Sequence, residues 1–279
     1  LSIVATGLRL DWFILFIHPL TDVTSPGFVW MLLFSGTILL FVLPLLPHPA
    51  PKPVAIVDAP NCNGCSRCLA DCPYAAVTME PHPDKAGHKI AVVDADLCAS
   101  CGICAGSCPS STPFRSQEAL VTGIDMPQLP VTLLRRNLEE KVRRLEGATR
   151  ILVFGCDHGV DVKTLESADT AVMSLICAGM LPPAFVEYAL RGGADGVLVA
   201  GCRPGGCEFR LGDRWTMERL ARQREPHLRR NVPFGRLRLA QASSHDGKAL
   251  AEELRQFRTQ LETQAAARPL PYHRRSAPS

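Results

Sequence analysis

Cysteine carries the clearest chemistry in this sequence, because twelve cysteines are present and most of them are regularly spaced. Eight form two copies of one motif. In each copy, two residues separate successive members of a cysteine triplet, and a fourth cysteine follows after three further residues and precedes proline. The copies consist of Cys62, Cys65, Cys68 and Cys72, and of Cys98, Cys101, Cys104 and Cys108. Three thiolates at this spacing can bind three irons of one cubane, so the repeat predicts two [4Fe–4S] clusters.

The fourth cysteine of each motif should serve the other cluster, as it does where two such motifs share one domain. We therefore predict that the first cluster is bound by Cys62, Cys65, Cys68 and Cys108, and the second by Cys98, Cys101, Cys104 and Cys72. Zinc and disulfides are the alternatives, but zinc sites rarely show this spacing and disulfides require an oxidising compartment. Residues 54–113 resemble the bacterial-type two-cluster ferredoxins, and their cysteine motif is complete.

The remaining four cysteines follow predicted strands. They are Cys156, Cys177, Cys202 and Cys207. Carboxyl ends of parallel strands lie on one edge of a sheet, so these thiols should converge there. Four thiolates can hold a [2Fe–2S] cluster or a zinc ion. Buried unreactive thiols and a thiol–disulfide pair are the alternatives.

Residues 150–262 resemble the hydrogenase iron–sulfur subunit family, also called the methyl-viologen-reducing hydrogenase delta subunit. The resemblance lies in four stretches, at residues 151–156, 176–180, 193–209 and 236–254. It implies one [2Fe–2S] cluster that passes electrons to a flavoprotein of heterodisulfide-reductase type. Many members carry a second cysteine in the loop after Cys156, where this chain has none. His158 is a possible substitute ligand, although an exposed turn histidine is the simpler interpretation.

Alternating strands and helices predict a parallel α/β sheet in the second half of the chain. Predicted strands cover 151–156, 171–177, 196–202 and 236–242, with further short strands at 54–58 and 89–94. Predicted helices cover 131–146, 159–167, 182–191, 213–224 and 245–262. The first of these helices places Leu134, Leu138 and Val142 on one face, as an amphipathic helix requires.

Residues 28–46 are apolar and uncharged, and as a helix they would be about 28 Å long. This length is close to the hydrocarbon thickness of a bilayer, so we predict a transmembrane helix with Trp30 near one interface. The start of the chain lacks the basic n-region of a signal peptide, and no small-residue cleavage site follows an apolar h-region. Prolines recur over the segment that follows, which predicts a stiff linker at 47–53.

Leu10, Asp11, Trp12 and Phe13 resemble the quinol-site motif of the cytochrome b C-terminal domain, over about residues 1–46. The resemblance implies that Asp11 contacts quinol and accepts its proton. An ordinary interfacial anchor is the alternative. The helix carries no pair of histidines, so a b-type haem would belong to a partner subunit.

These features predict a membrane-anchored multidomain chain with one transmembrane helix, an α+β two-cluster ferredoxin domain and a parallel-sheet α/β domain. The predicted segments are a membrane segment (1–46), a linker (47–53), a ferredoxin domain (54–113), a connector with one helix (114–148), an α/β domain (149–262) and a disordered tail (263–279). A net charge of +3 and 47% hydrophobic residues argue against a nucleic-acid partner and against a disordered chain.

The predicted function is electron transfer within a larger complex, and the chain is not expected to be a stand-alone enzyme. It would relay electrons between a quinone and cytochrome b-linked membrane complex and a soluble flavoprotein or hydrogenase-type partner. The alternative is a ferredoxin fused to a docking domain with structural zinc. Because such clusters are assembled where thiols stay reduced, the cluster domains should lie on the cytoplasmic side of the inner membrane.

Overall fold

The computed structural model describes residues 20, 22–46, 52–115 and 120–266. The chain divides into two compact units after Pro51. In the first unit, helix α1 spans Pro26–Val42 and a 3₁₀ turn continues it over Leu43–Leu45. The hydroxyl of Ser25 accepts a hydrogen bond from the backbone N–H of Phe28 at 3.4 Å and caps the start of α1.

The segment Pro26–Leu45 is long and apolar enough to cross a membrane, with a mean hydropathy of 2.3. A signal sequence near the N-terminus would have the same length and composition. The helix begins two residues before the predicted start at 28. Its α-helical geometry ends before Pro44, because proline lacks the N–H that an α-helix needs. Asp11 and its motif lie outside the described residues.

The ferredoxin region of the second unit contains two antiparallel strand pairs and two short helices. Its strands are β1 (Ile56–Val57), β2 (Val77–Pro81), β3 (Lys89–Val93) and β4 (Ile124–Asp125), and its helices are α2 (Arg67–Ala70) and α3 (Ile103–Ser107). Strand β1 pairs with β4, and β2 pairs with β3. Strand β2 was not predicted from the sequence, and the predicted strand at 54–58 is reduced to two residues.

The α/β region of the same unit is built on a four-stranded parallel sheet in the order β6–β5–β7–β8. The strands are β5 (Ile151–Cys156), β6 (Thr170–Leu175), β7 (Gly196–Gly201) and β8 (Leu237–Gln241). The helices are α4 (Val131–Arg144), α5 (Ala184–Gly192), α6 (Gly212–Leu220) and α7 (Gly247–Ala266). The predicted parallel α/β class is confirmed for this region.

Hydrophobic side chains cover both faces of the sheet. On one face, Leu152 and Phe154 of β5 belong to a core with the buried residues of α4 and α5. On the other face, Ile151 and Val153 pack with the buried stripe of α7. That stripe contains Leu250, Leu254, Phe257 and Leu261. The sheet is therefore the middle layer of three, and only its edges are open to polar chemistry.

Two predicted boundaries are wrong. The helix predicted over 159–167 is only a 3₁₀ turn at Val162–Leu165, because the backbone is extended at Asp161 and Glu166 on either side. The tail predicted to be disordered from residue 263 is helical as far as Ala266, where α7 ends. Residues 267–279 lie outside the described part of the chain.

Candidate metal centres

The two cysteine motifs have the same backbone conformation as well as the same sequence spacing. In the first motif, Gly64 and Ser66 adopt left-handed conformations with φ of 66° and 61°. The equivalent residues of the second motif, Ser100 and Gly102, have φ of 60° and 74°. Serine is uncommon in this region of backbone space, so each loop holds a tight turn between its cysteines. The repeat is therefore a structural repeat.

Each motif borders its own cavity, and each cavity takes its fourth cysteine from the other motif. The first cavity is lined by Cys62, Cys65, Cys68 and Cys108. The second cavity is lined by Cys72, Cys98, Cys101 and Cys104. Their other linings are mainly apolar, with Met79, Ala91 and Ile124 in the first. Four thiols around an apolar space are a donor set that suits an iron–sulfur cluster.

Burial controls the thiol chemistry of these cavities. It raises the pKa of Cys68 to about 12, and the nearby Cys108 adds to this effect. It also raises the pKa of Cys101 to about 11, with a contribution from Cys72. Thiols with such pKa values are protonated at neutral pH unless a cation lies between them. Four thiolates around one cavity therefore require a bound metal centre.

The last four cysteines converge at one edge of the parallel sheet. Cys156 is the final residue of β5, Cys202 follows β7 directly, and Cys177 lies just beyond β6. The sulfurs of Cys156 and Cys202 are 3.7 Å apart. In the sheet, β6 lies on one side of β5 and β7 lies on the other, so the strand order changes direction between β5 and β7. The two sulfurs lie at this point, which is the usual ligand position in open α/β sheets. Cys207 returns to this edge after a turn and packs against them.

The thiols at this edge form a mutual hydrogen-bonding network, which we call the four-thiol site. Hydrogen bonds from Cys177 and Cys202 lower the pKa of Cys156 and of Cys207, and the same contacts raise the pKa of the two donors. A separation of 3.7 Å suits two thiolates on one tetrahedral metal with metal–sulfur bonds of about 2.3 Å. An iron of a [2Fe–2S] cluster and a zinc ion both meet this condition. Within the described residues, no group of three or more His, Cys, Asp or Glu side chains is arranged to hold a single metal ion as it stands.

His158 lies beside this edge as an exposed turn residue. Its ring meets the ring of Phe209 edge-on, with centroids 5.0 Å apart. No hydrogen bond between the ring of His158 and the four thiols is present in the described part of the chain. The simpler interpretation of this histidine therefore fits the structure better than a ligand does.

A close contact between the ferredoxin and α/β regions was missed from the sequence. Helix α3, which carries Cys104, packs against the 3₁₀ turn Ala178–Met180 that follows Cys177. A Cβ at Gly106 would overlap the backbone of Gly179, and a Cβ at Gly179 would lie 2.8 Å from a side-chain carbon of Ile103. The tetrapeptide Ile-Cys-Ala-Gly occurs at 103–106 and again at 176–179, but a repeated tetrapeptide does not by itself indicate a contact between its copies.

The loop after Cys202 also reaches the ferredoxin region. Arg210 donates a hydrogen bond to the carbonyl oxygen of Pro73 at 3.0 Å, and its guanidinium lies over the ring of Tyr74. Pro73 and Tyr74 directly follow Cys72 of the second cavity. The four-thiol site and the second cavity are therefore neighbours within one compact unit.

These observations define an iron–sulfur protein in which a two-centre ferredoxin module is joined to a parallel α/β domain with a four-thiol edge. Family models match both parts. Residues 61–112 match the 4Fe-4S dicluster domain, and residues 160–264 match the methyl-viologen-reducing hydrogenase, delta subunit. The second match begins after Cys156 and includes the other three cysteines of the four-thiol site. Both sequence resemblances are confirmed for these regions.

Characterised relatives match parts of the chain. One component of the ferredoxin/F420H2-dependent CoB-CoM heterodisulfide reductase from Methanosarcina acetivorans is 34% identical over 91 residues, or 33% of this chain and 12% of that protein. The iron-sulfur subunit of the F420-non-reducing hydrogenase from Archaeoglobus profundus is 31% identical over 86 residues, or 31% of this chain and 63% of that protein. The iron-sulfur subunit of the vhc F420-non-reducing hydrogenase from Methanococcus voltae is 38% identical over 42 residues, or 15% of this chain and 29% of that protein. The chain is thus related to subunits of heterodisulfide reductases and of F420-non-reducing hydrogenases. Neither family match reaches residues 1–46, so the resemblance to cytochrome b stays a prediction.

Proposed function

We propose that this chain is an electron-transfer subunit that relays single electrons through two [4Fe–4S] clusters and one [2Fe–2S] cluster. The observation that carries the proposal is the pair of crossed cavities, each lined by three cysteines of one motif and one of the other. The 4Fe-4S dicluster match over residues 61–112 supports the same cofactors. Iron–sulfur clusters supply one-electron transfer at potentials that their surroundings set.

The side chains of this protein hold each centre and exclude water from it. The first cluster would be bound by Cys62, Cys65, Cys68 and Cys108, the second by Cys98, Cys101, Cys104 and Cys72, and the third by Cys156, Cys177, Cys202 and Cys207. The packing of α3 against the turn after Cys177 supports electron passage between the second and third centres. Cys65 is exposed, so the first centre is open to a redox partner at the surface.

Metal and sulfide analysis of the anaerobically purified chain tests this proposal. We expect about ten irons and about ten acid-labile sulfides per chain, with visible absorption that bleaches on reduction. Eight irons with one zinc would instead support the docking alternative, in which the four-thiol site is structural. The 3.7 Å separation of the Cys156 and Cys202 sulfurs suits either metal, so the metal content decides between the two. Loss of iron altogether would contradict both functions.

We further propose that the apolar N-terminal helix anchors the chain in the inner membrane, with the cluster regions on the cytoplasmic side. A cytochrome b-type subunit that carries b-type haem would be the membrane partner, and quinone would exchange electrons there. The length and composition of Pro26–Leu45 support the anchor. Asp11→Asn tests the quinone link, because it keeps the size of the side chain but removes the proton acceptor. It should slow quinol-linked turnover without changing the iron content, and unchanged turnover would contradict this role.

The proposed soluble partner is a flavoprotein or a hydrogenase-type subunit. The support is the similarity of this chain to proteins named as heterodisulfide reductase and hydrogenase subunits. Isolation in mild detergent, followed by mass spectrometry of the co-purifying subunits, tests this assignment. The expected result is a flavin-containing or hydrogenase-type polypeptide at equal stoichiometry.

A further inference from the structure

A buried ion pair joins the ferredoxin region to the α/β region beside the second cavity. Asp71, which is only 3% exposed, directly precedes Cys72. Its carboxylate accepts hydrogen bonds from Arg219 of α6, which is 0% exposed, and from Arg224. A buried arginine is costly unless it is paired, so Asp71 explains part of its presence here.

Arg219 also reaches the four-thiol site. Its Nη1 donates a hydrogen bond to the carbonyl oxygen of Gly179 at 2.9 Å, two residues after Cys177. Burial lowers the pKa of Arg219, while the neighbouring Asp71 raises it. The Nε of Arg219 is buried and has no hydrogen-bond partner among the described residues. Asp71 therefore satisfies only one side of this guanidinium.

The charges in this contact do not cancel. Asp71 faces the guanidinium groups of Arg219 and Arg224, and Glu218 lies 3.5 Å from Arg224. Glu218 also pairs with Arg214 at 2.7 Å, so three arginines oppose two carboxylates in this cluster. Arginine keeps its charge at every physiological pH, and a charge in a protein interior is weakly screened. Reduction adds one electron to a centre. A fixed positive charge nearby stabilises that more negative state.

We propose that Arg219 is a positioning residue shared by the second four-cysteine centre and the four-thiol site, and that its buried charge raises the reduction potential of both. The inference rests on the proposed function, because it requires redox-active centres at these two places. One side chain would then act electrostatically on two metal centres whose ligands come from distant parts of the sequence.

The test compares Arg219→Gln with Arg224→Gln in the full-length, detergent-solubilised protein. Both substitutions remove a cation from Asp71. Arg224, however, is partly exposed, lies over the ring of Trp215 and makes no hydrogen bond to Gly179. Redox titration followed by electron paramagnetic resonance gives the midpoint potentials. We expect Arg219→Gln to lower both potentials by about 59 mV or more, which is a tenfold change in a one-electron equilibrium. Arg224→Gln should leave the four-thiol site unchanged.

Two further variants separate the charge from a purely structural role. Arg219→Lys keeps the positive charge, so the midpoint potentials of both centres should stay close to the wild-type values. Asp71→Asn removes the opposing negative charge, so both midpoint potentials should rise. If Arg219→Gln does not retain its iron, these two variants decide the question. Wild-type potentials at both centres in Asp71→Asn would overturn the inference. A wild-type protein without iron would overturn the proposed function instead, so the two failures are distinguishable.

Discussion

Burial determines what individual cysteines of this protein can do. It raises the pKa of Cys104 well above the ordinary thiol value and that of Cys68 to about 12. Metal binding must therefore displace protons from these thiols, and acidification opposes it because protons compete for the same sulfurs. Cys65, in contrast, is exposed to solvent. Oxidants should attack the first ferredoxin centre before the second.

The crossed ligation can be tested one cysteine at a time. Cys72→Ala should abolish the signal of the second [4Fe–4S] cluster and leave the first largely intact, because Cys72 lines the cavity of the second motif. Cys108→Ala is the matched variant and should do the reverse. Electron paramagnetic resonance of the reduced proteins distinguishes the two signals. If each variant lost only the cluster of its own motif, the assignment would be wrong.

Helix and turn contacts, more than strand pairing, bring the α/β region to the ferredoxin region. Helix α3 and the turn at Ala178–Met180 approach so closely that only glycine fits at Gly106 and Gly179. Gly212 of α6 is equally constrained, since a Cβ there would overlap the sulfur of Cys177. Each of these glycines stands where a methyl group would push a cysteine-bearing loop away from its partner.

Gly179→Ala should therefore destabilise the protein by about 1–3 kcal/mol, which is the usual cost of overpacking. The four-thiol site should lose its metal before the ferredoxin clusters do, because Cys177 lies two residues away. Thermal unfolding under anaerobic conditions, with metal analysis, measures both effects. Gly192→Ala is a suitable control, because its added Cβ would meet Val142 at an ordinary 3.5 Å. Equal stability of the two variants would refute the packing argument.

At the level of the whole chain, one polypeptide combines an apolar helix with the proposed iron–sulfur sites. A membrane span and a cluster region have different requirements, since the first needs lipid and the second needs a reducing compartment. Both requirements are met if the chain after the helix lies in the cytoplasm. Lys52, the first residue of the second unit, and Pro53 after it are exposed, so the chain here is open to a protease of broad specificity such as proteinase K.

We expect proteinase K to cleave the chain near Lys52 in inverted membrane vesicles and not in right-side-out vesicles. The physical reason is that the bilayer would shield the linker from the outer face. Immunoblotting for the C-terminal fragment detects the cleavage, and detergent-opened vesicles show that the site is accessible in principle. Cleavage from the outside of intact right-side-out vesicles would contradict the cytoplasmic placement of the cluster regions.

The sequence by itself determined the features that depend on near neighbours along the chain. Cluster ligands on one loop must have fixed spacing, so the eight ferredoxin cysteines were recognisable without a structure. The stripe Leu134, Leu138 and Val142 and the apolar strands likewise predicted α4 and the parallel sheet, because burial periodicity is local. The 3₁₀ turn at Val162–Leu165 was mistaken for a helix, since extended flanking residues leave no signal in composition.

Only the tertiary structure decided which distant residues meet. Asp71 and Arg219 are 148 positions apart, and neither is distinguishable in the sequence from a solvated surface charge. The glycine contact between α3 and the turn after Cys177 is equally hidden, since glycine is common in loops for many reasons. Side-chain pairing across a fold depends on three-dimensional proximity, and proximity follows from the packing of whole elements. The cysteines could thus be predicted as ligands, but the buried cation that links two of their sites could not.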